Sequence, residues 1–126
     1  MRGARRTRAK ILIVDDDAST RELVKLHLAN NGYDVVLAED AVVAGYVVLR
    51  EQPDLILLDV HMPFMTGYEF AAALKADEVT RDIPLIFLTT DAGVAEHAGR
   101  LGAKAYLNKP VTADRLVGTV GLFAAH

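Results

Sequence analysis

Residues 54–67 read DLILLDVHMPFMTG, and the fold is decided there. Leu55, Ile56, Leu57 and Leu58 are consecutive and run directly into Asp59. Apolar residues that do not alternate with polar ones mark a strand buried on both faces. Such strands belong to parallel sheets covered by helices on both sides. The run predicts a strand over residues 55–59. Thr66 and Glu69 stand three positions apart and form a capping box, which opens a helix into the formers of residues 70–75.

The same alternation extends in both directions. Further apolar runs predict strands over Lys10–Val14 and residues 35–38, 85–88 and 105–107. Between them lie helical segments. In the first, Ser19 and Glu22 suggest a capping box, and Asn31-Gly32 closes the helix. The second starts near Asp40 and stops before Pro53, with Val42, Val43, Val47 and Val48 expected in the core. Thr112 caps the fifth, where Leu116, Val120 and Phe123 recur at helical spacing. The fourth segment carries Gly93, Gly99 and Gly102, each costing a helix interior about 1 kcal/mol, so a short or mobile helix is expected. Five strand–helix units predict a doubly wound α/β domain.

Bulk properties narrow the function. The chain has 126 residues, 52% of them hydrophobic, which suits one domain with one core system. No apolar run approaches the roughly 20 residues of a membrane span. The arginine-rich start lacks the apolar segment of a secretory signal. With no cysteine, disulfides, thiolate metal sites and cysteine nucleophiles are excluded, which fits a cytoplasmic protein. The first ten residues hold five of the 14 basic side chains. The remainder carries 9 basic against 17 acidic, a charge of −8. So acidic a body does not read as a nucleic-acid binder. Residues 1–9 read as a flexible basic arm and residues 10–125 as the folded domain. The chain ends about one helix after Lys109, so no output domain is expected unless the chain is cut from a longer protein, and nothing demands more than a monomer.

In a doubly wound sheet, sites form beyond the carboxyl ends of the strands. Strand one ends at Asp15, Asp16 and Asp17. Strand three ends at Asp59, strand four at Thr89 and Thr90, and strand five at Asn108, Lys109 and Pro110. Strands one and three are neighbours in this topology, so their carboxylates crowd one pocket. Crowded carboxylates repel unless one protonates or a cation binds. Oxygen donors without histidine or thiolate favour a hard divalent cation, Mg²⁺ best. A carboxylate beside Mg²⁺ can attack a phosphoryl group and become an acyl phosphate. Lys109 and the Thr89 hydroxyl can then neutralise and position its oxygens. Each signal alone has a plain structural reading. Asp15, Asp16 and Asp17 can cap a helix, and Asp17 is expected to do just that; Asp59 can cap a turn, and Lys-Pro often follows a strand. Their conjunction at the right strand ends carries the argument.

At these residues the sequence resembles the receiver domains of two-component response regulators, over residues 10–123. The matching motifs are ILIVDD (11–16), DLILLDVHMPFMTG (54–67), LIFLTT (85–90) and GAKAYLNKP (102–110). The resemblance implies a flavodoxin-like sheet of order 2-1-3-4-5 with five helices. It implies Asp59 as phosphoacceptor, and Mg²⁺, with Mn²⁺ as a substitute, held by Asp15, Asp16, Asp59 and the backbone carbonyl of His61. Thr89 and Lys109 would contact the phosphoryl group. Thr89 and Tyr106 would act as the switch, and His61 and Asp91 occupy positions that tune phosphoryl lifetime. Lys109–Pro110 matches the family's cis peptide bond. The implied phosphodonor is a histidine kinase or histidine phosphotransfer protein, with acetyl phosphate as a small substitute. The implied output is a signalling switch acting through helix four, strand five and helix five on a protein target the sequence does not name.

Some features depart from the family or leave two readings. Thr89 and Lys109 are 20 positions apart, shorter than the family pattern, and the loss falls in the glycine-rich fourth segment. Thr90 replaces a commoner alanine or serine. Tyr106 reads equally as a packed core aromatic. Met62, Phe64 and Met65 form an apolar lip expected to pack. His27 and His97 read as plain helix-face residues. An aspartate-nucleophile phosphatase shares the Asp15-x-Asp17 pattern but needs an acidic pair after a further strand, which is lacking. A receiver that docks without phosphorylation usually loses one of the site residues, all of which are kept here.

Overall fold

The structure, a computed structural model, describes residues 8–124. Residues 1–7, most of the expected basic arm, and residues 125–126 lie outside the described residues. The elements alternate: β1 (Lys10–Val14), α1 (Ala18–Asn30), β2 (Asp34–Ala38), α2 (Ala41–Glu51), β3 (Leu55–Leu58), α3 (Gly67–Ala76), β4 (Leu85–Thr89), α4 (Val94–Leu101), β5 (Ala105–Asn108) and α5 (Ala113–Phe123). All pairings are parallel and the sheet order is β2-β1-β3-β4-β5. This is the doubly wound, flavodoxin-like arrangement expected.

The pleat sends alternate residues to opposite faces and so builds two cores. Leu12, Val14, Ile56, Leu58, Leu85 and Phe87 meet the buried faces of α2, α3 and α4. Ile11, Ile13, Leu55, Leu57, Ile86 and Leu88 meet α1 and α5 on the other side. β1, β3 and β4 are therefore buried almost throughout. The edge strands β2 and β5 are only partly buried, which corrects the reading of every strand as covered on both faces. An edge strand has a neighbour on one side alone, so solvent reaches its flank.

Local chemistry explains the helix ends. Thr66 and Glu69 make the expected capping box of α3, and Thr112 caps α5 through the Arg115 N–H. Asp40 caps α2 through the Val43 N–H at 2.9 Å. In helix α1 the expected Ser19–Glu22 capping box gives way to the other expected cap, the Asp17 carboxylate. Asp17 accepts the Ser19 N–H at 3.0 Å and the Thr20 hydroxyl at 2.9 Å, so Ser19 lies inside the first turn. Asp17, two positions before Ser19, stands where the free N–H groups of the first turn point. Helix α4 has eight residues. Gly93 and Gly102 stand at its two ends, the latter at φ +72°, and only Gly99 is interior.

Other core expectations are corrected. Val42 is 55% exposed, because Ala41, Ala44, Val47 and Val48 already fill the one inward stripe of α2. Within the apolar lip only Met62 packs on the core, while Phe64 is 81% exposed and Met65 is exposed as well. Tyr106 is 40% exposed on edge strand β5 and is no core aromatic. Among the described residues no helix is long and apolar enough to cross a membrane.

Candidate functional site

Parallel pairing brings the strand ends level. Beyond β1, the Asp15 amide still donates to the Ala38 carbonyl at 3.1 Å. Beyond β3, the Asp59 amide donates to the Val14 carbonyl at 2.9 Å. The two aspartates thus extend adjacent strands by one residue each, and both are buried. Exposed Asp16 completes a group whose carboxylate oxygens, one from each residue, lie within 4.8 Å of one another.

Lys109 reaches this group from the far side of the sheet. Its backbone N–H donates to the Thr89 carbonyl at 3.0 Å, which continues the β4–β5 ladder. Its ammonium donates to Asp15 Oδ2 at 2.6 Å and Asp59 Oδ2 at 3.1 Å. The following Lys109–Pro110 peptide bond is cis. Asp59 Oδ1 accepts the Val60 N–H at 2.7 Å, and Asp15 Oδ1 accepts the Asp17 N–H at 2.9 Å. Arg21 donates to the Asp15 carbonyl at 2.6 Å and fixes that turn.

The electrostatics favour a cation. Burial raises the Asp15 carboxyl above its ordinary range, and the neighbouring Asp59 charge adds to this. The Lys109 bond and the Asp17 amide offset the rise only in part. Burial also works against the charge of Lys109, but its bonds to Asp15 and its attraction to both carboxylates outweigh that, so its pKa is raised. Three carboxylates face one ammonium. The set of oxygen donors and the unmatched negative charge fit a hard divalent cation.

Thr89 is fully buried at the end of β4, and its Oγ1 accepts the Asp91 N–H at 3.2 Å. His61 and Asp91 meet each other at the rim, with His61 Nε2 3.4 Å from Asp91 Oδ1. Tyr106 stands apart on β5 and points partly to solvent. Asp17, one of the aspartate triplet, is an N-cap whose carboxyl is held below its ordinary range by the Thr20 hydroxyl and Ser19 amide.

Two residues escaped the sequence reading. A Cβ at Gly67 would lie 2.0 Å from the Asp59 carbonyl oxygen, so only glycine lets the start of α3 sit on the backbone that follows β3. Its place in the motif after Asp59 was the available signal. Tyr68 donates its hydroxyl to Asp91 Oδ2 at 2.6 Å, a contact across 23 positions with no local signature. His97 also departs from a plain helix-face residue, since its ring stacks on Tyr68 at 3.9 Å.

Comparison with known proteins agrees with this geometry. The family model described as the response regulator receiver domain matches residues 11–121. The chain is 42% identical over 109 residues to the phosphate regulon transcriptional regulatory protein PhoB of Pseudomonas aeruginosa, covering 85% of this chain and 48% of that protein. It is 39% identical over 113 residues to the response regulator MprA of Mycobacterium leprae, covering 88% of this chain and 49% of MprA. The chain thus spans about half the length of the curated relatives it matches. The solved structure of the chemotaxis response regulator CheY4 of Vibrio cholerae superposes with a TM-score of 0.86 at 34% identity, covering 93% of this chain and 99% of that one. The parallel sheet, the acidic strand ends and these likenesses agree: the chain belongs to the response regulator receiver domain family of two-component signalling.

Proposed function

We propose that this receiver accepts a phosphoryl group on Asp59 in a Mg²⁺-dependent reaction. The donor is a histidine kinase or histidine phosphotransfer protein. The observation that carries the reading is the buried Asp59 carboxylate, paired with Lys109 at 3.1 Å beside Asp15 and Asp16. Asp59 Oδ2 attacks phosphorus as the bond from phosphorus to the donor imidazole breaks, and an acyl phosphate forms. Asp15, Asp16, Asp59 and the His61 carbonyl would hold the cation. Mg²⁺ there supplies neutralisation of the phosphoryl oxygens.

The remaining work falls to the chain's own side chains. Lys109, now shared by two carboxylates, moves its ammonium onto a phosphoryl oxygen. The Thr89 hydroxyl turns to donate to another. Its buried place is then free for Tyr106 to move inward from edge strand β5. That change alters the surface formed by α4, β5 and α5 and so the choice of protein partner. A two-state element of this kind needs only a modest bias to switch. A groove of about 300 Å³ beside Lys109, walled by Leu23, Val24, Leu88 and Pro110, gives a protein donor an apolar seat next to the acceptor.

The test is labelling with radioactive acetyl phosphate and Mg²⁺. The wild type takes one acid-stable, base-labile phosphoryl group, Asp59→Asn takes none, and chelation of Mg²⁺ abolishes the reaction. An unlabelled wild type, or full labelling of Asp59→Asn, would sink the reading.

A further inference from the structure

Tyr68 ties together three segments around the rim of the acidic pocket. It is the second residue of α3 and directly follows Gly67, which lies against the Asp59 backbone. Its ring meets Phe87 of β4 edge-on at 5.3 Å and stacks on His97 of α4 at 3.9 Å. Its hydroxyl donates to Asp91 Oδ2 at 2.6 Å.

That bond completes the orientation of Asp91. The same Oδ2 accepts the Gly93 N–H at 3.2 Å, and Oδ1 faces His61 Nε2 at 3.4 Å. Asp91 and His61 each lie two positions beyond a residue of the site, Thr89 and Asp59, on adjacent strands. The carboxylate and imidazole therefore bridge the two loops that flank the acceptor. Both Asp91 oxygens are engaged in this bridge and are held away from service as a base.

We propose that Tyr68 is a positioning residue for phosphoryl lifetime: by fixing Asp91, and through it the His61 imidazole, across the rim, it slows attack of water on the aspartyl phosphate. The inference rests on Asp59 being the phosphoacceptor. In the reaction concerned, the water oxygen bonds to phosphorus as the bond from phosphorus to Asp59 breaks. Asp59 leaves as the carboxylate and inorganic phosphate keeps both hydrogens of the water. With the Tyr68 hydroxyl gone, Asp91 rotates free of the bridge, the rim opens and a carboxylate oxygen becomes available to the attacking water.

The experiment labels wild type, Tyr68→Phe, Asp91→Asn and the double variant with acetyl phosphate and Mg²⁺, removes the donor and follows loss of label. Tyr68→Phe keeps the ring and both aromatic contacts. It should lose label about fivefold faster, as expected for one hydrogen bond removed. The double variant should decay no faster than Asp91→Asn alone, because Tyr68 acts through Asp91. A packing role alone would move the melting temperature and leave the decay rate in place. A decay rate in Tyr68→Phe equal to or slower than wild type overturns the inference, and so does an additive double variant. A wild type that never takes label overturns the phosphoacceptor reading and this inference with it. A labelled wild type with an indifferent Tyr68→Phe overturns this inference alone.

Discussion

The floor of the pocket and its rim are built in different ways. The floor is Asp15, Asp59 and Lys109, set one residue past β1, β3 and β5 and tied down by ladder-type amide bonds. The rim is His61, Asp91, Tyr68 and His97, which come from two loops and two helices and meet only through side chains. Asp15 and Asp59 inherit the rigidity of central strands buried on both faces, and Lys109 is tied to β4 through its own amide. The rim depends on how α3 and α4 are placed over that sheet. A mutation in the floor should therefore change whether chemistry occurs, and a mutation in the rim how long its product lasts.

The harshest way to break this division is Gly67→Ala, because Gly67 belongs to both regions. Its new Cβ would collide with the Asp59 carbonyl, 2.0 Å away. Relief requires α3 or the end of β3 to shift, at a cost of about 3 kcal/mol or more. Chemical denaturation should show that loss, and labelling of Asp59 should fall with it.

The floor alone is probed by Asp15→Asn and Mg²⁺ titration. Burial raises the Asp15 pKa, so the folded chain holds that proton more tightly than the unfolded chain. The stability it contributes is present below the ordinary carboxylate range and is lost as pH rises through the raised value. At neutral pH without metal, its charge is a cost, and Asp15→Asn should melt higher than wild type. Mg²⁺ at ten times its Kd should stabilise the wild type by about 1.4 kcal/mol and the variant much less. A wild type whose melting ignores Mg²⁺ would remove the floor as a cation site.

The smallest effect is expected at the lip between floor and rim. Phe64 adopts φ +74° while 81% exposed, so its backbone is strained and its side chain repays little by burial. Phe64→Asn should raise stability by about 1 kcal/mol, since asparagine tolerates that conformation. Unchanged labelling and decay in this variant would confirm that the lip is outside both regions.

The unequal legibility of floor and rim has a physical cause. Apolar runs that end in Asp15, Asp59, Thr89 and Lys109 are local patterns, and a doubly wound sheet brings successive strand ends to one edge. The same patterns misplaced Val42 and left Tyr106 between a core and a switch reading, the first of which its exposure removes. Periodicity reports that a segment is apolar but not which helical stripe faces inward, nor which strand lies at an edge. At α1 two capping signals, Asp17 and the Ser19–Glu22 box, were both legible, and only the start of the folded helix decided that Asp17 caps it.

By itself, the sequence marked the strand–helix alternation of a parallel sheet, the aspartates that end strands one and three and the distant lysine, because strand propensity and strand-end chemistry are written in consecutive residues; the order 2-1-3-4-5 and the acceptor role of Asp59 were what the resemblance to receiver domains implied. Only the tertiary structure decided that Lys109 is shared between Asp15 and Asp59, that Gly67 must lack a side chain, and that Tyr68 holds Asp91 across the rim. Those contacts join residues 23 to 94 positions apart or depend on backbone approach within a fraction of an ångström. Their existence follows from the relative placement of packed elements, which no local pattern encodes.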